Sequence, residues 1–404
     1  RSVSRGLGDV YKRQAELRVK GGIKSPILRT VKKDETVTIV ESGEKWTKVC
    51  TKDGYIGYVK NRQLDKAEKK ELKSDFKEPE ITHNLKKEKI NMAWHQVTEQ
   101  AANSTLANVL STTKGVNVIS PTWFYLNDNN GGIKTLASSD YVTYAHQHNV
   151  EVWALVSNLE NPDVDTTQVL THTSTRENLT NNLISAAIRY DLDGINVDME
   201  ALSTDAGEGY IQFIRELSIK CKKNDLVLSI DNYVPSSYTA FYNRKEQSCF
   251  ADYIVIMGYD EHYKGSEEAG SVASIDFVKN GIKDTLKEVS AEQTILALPF
   301  YTRLWAETTG EDKKVTVTSE VVKMNNQQTV VNNSGASPKW SDKYGQYYIE
   351  YQKDGKTYKM WMEESKSIEQ KLKAAKKAKI AGTSVWKLGM EDPTVWDTII
   401  KYVN

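Results

Sequence analysis

The chain of 404 residues has only three cysteines, Cys50, Cys221 and Cys249. They are odd in number and widely scattered, with no CxxC pair, which excludes a disulfide framework and a zinc ribbon. A surplus of charge is also missing, because 54 Lys and Arg balance 54 Asp and Glu. A nucleic-acid binder would show a basic excess, so that class is not favoured. No run approaches the roughly 18 uninterrupted apolar residues that a membrane-spanning helix needs. His83, His146, His148, His172 and His262 show no ligand spacing on a common element. What is abundant is Tyr (21) and Trp (9), within an apolar share of 39%. These amphipathic aromatics can build a core and also suit the surface of a sugar.

The length allows two or three domains, or one barrel plus a module, at roughly 150 residues per domain. Residues 1–14 are set aside: the stretch 4–14, SRGLGDVYKRQ, reads as a translated transposon-end adapter fused to a truncated reading frame. The native chain is expected to start near Ala15, with its true N-terminus missing. Residues 15–64 read as short strands at 17–19, 27–31, 36–40 and 46–50, where apolar and polar residues alternate. Gly21-Gly22, Ser42-Gly43 and Asp53-Gly54 supply the turns. Residues 65–89 are almost all Lys, Glu and Asp and are read as a linker, helical at 66–72.

From Ile90 to residue 404, apolar runs alternate with longer amphipathic stretches. Eight strands are expected, at 90–94, 116–120, 150–156, 194–198, 226–230, 253–257, 294–298 and 382–386. Helices are expected at 181–190, 207–222 and 367–378. Strands apolar throughout and alternating with helices imply a parallel sheet covered on both faces. Eight such repeats predict an α/β fold, a (β/α)8 TIM barrel whose catalytic residues sit at the C-terminal strand ends. A long interval before the last strand holds a small α+β insertion at about 307–364, with a hairpin around Asp354-Gly355.

The most informative segment is DLDGINVDME, residues 191–200. Asn196, Asp198 and Glu200 fall at i, i+2 and i+4, so on a strand they share one face. Burying two carboxylates side by side is costly, which makes a purely structural role a weak explanation. This pattern resembles the DxxDxDxE signature of glycoside hydrolase family 18. Asp193 matches its first Asp, Asp198 its third and Glu200 its acid, while Asn196 stands where many chitinases have the middle Asp. The segment 257–260, MGYD, is similar to the family's MxYD motif. Residues 298–305 and 382–386 resemble its seventh and eighth strands, the latter ending in Trp386. Residues 54–59, GYIGYV, with Trp46 ahead of them, resemble the bacterial Src-homology-3-like module of cell-wall enzymes. The aromatics of that module serve either a small core or wall binding.

The family resemblance implies a retaining, substrate-assisted glycosidase that cleaves β-1,4 bonds next to N-acetylglucosamine in peptidoglycan, spore cortex or chitin. Glu200 would be the acid and base, with Asp198 and Tyr259 holding the acetamido group. Trp386 would floor the sugar site, and Asn196, Asp193, Met257 and Trp94 would belong to it. Asp260, Tyr301 and Arg303 would touch sugar hydroxyls or form loop salt bridges. Of Trp94, His95, Trp123, Asn232 and Tyr233, at strand ends, one or two are expected to reach ligand. No metal or organic cofactor and no nucleic acid is implied. The wall module would hold a monomeric, extracellular or envelope-associated enzyme on its polymer. The rival reading is a lectin-like barrel without catalysis, which the presence of Glu200 disfavours. Asp198, roughly 6.5 Å from Glu200 along the strand, is expected to be the main charge raising the acid's pKa.

Overall fold

The computed structural model describes residues 2–4, 14–69, 81–311 and 313–403, in two compact units, 1–80 and 81–404. Most of the adapter-like stretch, and residues 70–80 of the charged segment, lie outside the described residues. In the first unit the chain runs antiparallel through Gln14–Arg18, Ile27–Lys32, Val37–Glu41, Trp46–Thr51 and Ile56–Lys60. Ser2–Ser4 pairs with Val37–Ile39 and with Ala67–Lys69. Ala67–Lys69 is therefore a strand where a helix was expected, because backbone pairing outweighs the weak helical preference of so short a run. The buried cluster is aliphatic: Ala15, Leu17, Val31, Val37, Val49 and Val59. Trp46 and Tyr58 are half-buried and Tyr55 is exposed, so the module's aromatics are not its core.

The second unit is a closed barrel of eight parallel strands: β1 (Ile90–His95), β2 (Val118–Leu126), β3 (Glu151–Ser157), β4 (Gly194–Asp198), β5 (Val227–Tyr233), β6 (Tyr253–Met257), β7 (Thr294–Pro299) and β8 (Gly382–Trp386). Each pairs with the next, and β1 closes the ring by pairing with both β8 and β2. At the seam, Gly382 approaches so closely that a Cβ there would lie 2.0 Å from the carbonyl oxygen of Ile90. Only glycine permits that contact.

Alternation along each strand sorts side chains into two layers. On β4, Ile195 and Val197 face outward and join the apolar layer shared with Leu183, Phe213 and Leu217 of the flanking helices. Those helices, Thr173–Tyr190 and Gly207–Lys223, are amphipathic, and the first ends at Asp191 in the left-handed conformation (φ 57°). Inside, Trp153 and Tyr253 stack at 5.5 Å and, with Met92, Leu155 and Val255, fill the barrel as a packed core.

Between β7 and β8 lies a five-stranded antiparallel sheet that begins at Tyr301 and includes the hairpin Gln346–Lys353/Lys356–Trp361. Asp354 and Gly355 turn that hairpin with φ of 49° and 71°. Glu363, fully buried with Lys371 as its ion-pair partner, ties this sheet to the helix Ser365–Ala378. Gln346 donates to Glu363 Oε1 at 2.7 Å and Ser367 donates to Oε2 at 2.9 Å. Among the described residues no helix is long and apolar enough to cross a membrane.

Candidate active site

The inward positions of β4 climb from Gly194 through Asn196 to Asp198, and Glu200 follows just past the strand end. Asn158 clamps the Glu200 backbone from both sides: its Oδ1 accepts from the Glu200 N–H at 2.9 Å and its Nδ2 donates to the Glu200 carbonyl at 3.0 Å. Ala201, next in the chain, turns away in the left-handed region (φ 51°). The Tyr242 hydroxyl donates to the Met199 carbonyl at 3.2 Å, so the strand end is held on several sides.

One cavity of about 240 Å³ unites Glu200, Asp198, Tyr259, Asp260, Tyr301 and Trp386. Met257, Trp94, Tyr233 and Asp231 complete its wall. A second cavity of about 370 Å³ opens on the other side of Glu200 and Trp386 and includes Tyr125 and Glu160. Trp386 meets Trp94 edge-on, with ring centroids 5.8 Å apart, and remains half-exposed. The Tyr301 hydroxyl donates to Asp260 Oδ1 at 2.6 Å.

Three of the residues expected at the site stand elsewhere. Asn196 lies one layer below the cavity, with no exposed surface. Its Oδ1 accepts from Trp94 Nε1 at 2.9 Å and from Ser120 Oγ at 3.1 Å. Its Nδ2 donates to Ser229 Oγ at 3.0 Å and to Asp231 Oδ1 at 2.8 Å. The indole can only donate, which sets the amide's orientation, and all four hydrogen-bonding positions are used. Asp193 precedes β4 and so sits at the opposite, N-terminal end of the barrel. There its Oδ2 accepts from the Val152 N–H and from His146 Nε2, both at 2.8 Å. Arg303 donates to Ser319 on the neighbouring strand of the inserted sheet at 3.2 Å and does not line the cavity.

Of the five strand-end aromatics and polar residues, Trp94 and Tyr233 reach the cavity. Trp123 donates to Asn103 and Asn232 pairs with Gln247, both buried outside the barrel ring. His95 is held by Tyr141 and Thr105, and burial pushes its imidazole down to about 4. Asp231 was not anticipated. The stretch Leu228-Ser-Ile-Asp-Asn carries the signal, since an acid at an inward position of an otherwise apolar strand needs a reason.

Burial is the main force on the site's acids. It raises Glu200, with Asp260 and Glu160 adding to it and a hydrogen bond from Tyr233 opposing it. Asp198 is pushed well above the usual carboxylate range, first by burial and then by Asp231, Glu200 and Glu160. Asp231 rises for the same reason, against the hydrogen bond from Asn196. The expectation that the Asp198 charge dominates the shift at Glu200 gives way to burial, which is the largest cause. Asp198 and Glu200 repel one another, and Asp260 and Glu160 add to the load on Glu200. A strand-end acid whose pKa burial raises, an open cavity and an indole platform form an arrangement that can donate a proton to a bound sugar oxygen.

Residues 123–391 match the family Glycosyl hydrolases family 18, and residues 14–65 match the Bacterial SH3 domain. The chain is 27% identical over 324 residues to the uncharacterized glycosylase YvbX of Bacillus subtilis, covering 75% of this chain and 92% of that protein. The crystal structure of the Bacillus cereus spore cortex-lytic enzyme SleL superposes with a TM-score of 0.69 at 18% identity, over 78% of this chain and 74% of that one. The chitinase of Chromobacterium violaceum does so with a TM-score of 0.68 at 20% identity, over 78% and 98%.

Proposed function

Because the chain belongs to glycosyl hydrolase family 18, we propose that it hydrolyses β-1,4 bonds next to N-acetylglucosamine in peptidoglycan or its spore-cortex form. The observation that carries this reading is the single cavity in which Glu200, Asp198, Tyr259 and Trp386 converge. Glu200, whose pKa burial raises, donates its proton to the leaving glycosidic oxygen. No separate nucleophile is required, because the substrate's own acetamido oxygen attacks the anomeric carbon, and configuration is retained. Asp198 receives the acetamido N–H and faces the positive charge that develops, and the Tyr259 hydroxyl donates to the acetamido oxygen. Glu200, now a carboxylate, then takes a proton from the water that opens the intermediate. Trp386 supplies an apolar face for the sugar ring.

Two similarities favour a wall polymer over chitin: the bacterial SH3 domain and the likeness to a spore cortex-lytic enzyme. In this reading the enzyme works in the cell envelope or outside the cell, held on its polymer by the SH3-like unit. Mass spectrometry of parallel digests of purified peptidoglycan and chitin oligomers tests it. Muropeptides released with a reducing N-acetylglucosamine end are expected. Release of chitin fragments alone would overturn the choice of polymer, and no release from either would overturn hydrolysis.

A further inference from the structure

β4 and β5 run parallel with Asn196 opposite Ser229 and Val197 opposite Ile230. The next step in that register sets Asp198 beside Asp231, and both side chains point into the barrel because Asn196 and Ser229 do. Neighbouring strands lie about 4.8 Å apart, so the two carboxyl groups are close neighbours. Asp231 is 2% exposed, and Asp198 Oδ1 is sealed from solvent without a hydrogen-bond partner. The charges set against Asp198 are those of other carboxylates, Asp231, Glu200 and Glu160, and Glu200 acts on Asp231 as well. Two adjacent buried carboxyls with no compensating cation among the described residues cannot both ionise at neutral pH.

We infer that Asp198 and Asp231 share one proton, and that Asp231 is a positioning residue that takes this proton when positive charge develops beside Asp198. The O–H bond on Asp198 breaks and one forms on Asp231, so the pair keeps a single negative charge throughout. The electron pair left on Asp198 then faces the developing cation, and the proton returns when the intermediate is opened. Glu200's own proton goes separately to the leaving oxygen. Asn196 orients the acceptor: its Nδ2 donates to Asp231 Oδ1 at 2.8 Å, and a neutral amide does not compete for the proton. Asn196 is itself held by three further hydrogen bonds, so Asp231 is presented in one orientation.

The kinetic part of this inference rests on the hydrolase reading; the shared proton does not. Infrared difference spectra at neutral pH test the proton without substrate. Asp231→Asn keeps an oxygen acceptor for Asn196, so a purely structural role for Asp231 would leave the remaining acids unchanged. Asp198→Asn and Asp231→Asn are each expected to lose the same protonated-carboxyl band, because the carboxyl left behind ionises. The double variant should lose no further acid band, only a carboxylate band. Single variants that lose only carboxylate bands would overturn the shared proton. In turnover, Asp231→Asn should lower kcat by about 10²-fold with KM changed less than about threefold, and Asp231→Glu should recover both the band and part of the rate. An unchanged kcat in Asp231→Asn would overturn the positioning role. A chain that shows the shared band but cleaves no N-acetylglucosamine polymer would sink the hydrolase reading and leave the shared proton standing.

Discussion

Tyr301 donates its hydroxyl to Asp260 Oδ1 at 2.6 Å, which holds a carboxylate at the rim of the cavity that contains Glu200. Asp260 sits in the left-handed region (φ 57°) directly after Tyr259, so the backbone bends there to aim both side chains inward. Its negative charge raises Glu200. Asp260→Asn keeps the oxygen that Tyr301 bonds and removes the charge, so the Glu200 pKa falls and the alkaline limb of kcat/KM moves to lower pH. Asp260 is exposed, so water screens it and the expected move is small. A pH–rate profile checks this, and a limb that moves up would contradict it.

Tyr233→Phe should act in the opposite direction. The hydrogen bond from Tyr233 stabilises the Glu200 carboxylate and lowers its pKa. Without it the acid holds its proton longer, and the alkaline limb moves to higher pH. The same profile measures it, with Tyr242→Phe as a neighbouring control that leaves the Tyr233 hydroxyl in place.

Glu200→Gln preserves shape and removes the proton donor. Activity on peptidoglycan should fall by about 10²–10⁴-fold while the melting temperature stays within a degree or so. Retention of more than a tenth of the activity would end the assignment of Glu200 as the acid.

Substrate assistance requires the acetamido group. Chromogenic N-acetylglucosaminides should turn over, glucosides of the same leaving group should not, and a thiazoline analogue of the intermediate should inhibit. Equal rates on the two glycosides would refute the mechanism.

Lys371→Met should destabilise the barrel unit by about 3–5 kcal/mol, because it leaves Glu363 buried and unpaired. Both residues have fully buried side chains. Adding Glu363→Gln should recover part of the loss, since the amide carries no charge. Urea unfolding curves of the two variants measure the difference.

The barrel was legible because its signal is local. Period-two alternation and continuous apolar runs mark strands directly, and Gly194–Asp198, Tyr253–Met257 and Gly382–Trp386 appear with their expected bounds. The common face of Asp198 and Glu200 was legible for the same reason. Less was readable where backbone pairing decided the outcome, as in Ala67–Lys69. The small unit's aromatics also escaped, because short aliphatic side chains were enough to fill so narrow a core.

By itself, then, the sequence determined the strands, their inward and outward faces, and the convergence of Glu200, Asp198, Tyr259 and Trp386 at one end of the barrel. Tertiary structure alone decided which residues stand beside them. A strand's periodicity states the side on which a residue lies, but not its register against the neighbouring strand. That register brings Asp231 next to Asp198, thirty-three positions away in the chain. Strand polarity likewise sends Asp193 to the far end of the barrel, where it accepts from Val152 and His146. The environment of Glu200 is also a tertiary product. Burial is the largest cause of its raised pKa, and Asp260 and Glu160, contributed by other strands' loops, add to it, because only the folded barrel shields the strand end from water and brings those loops together.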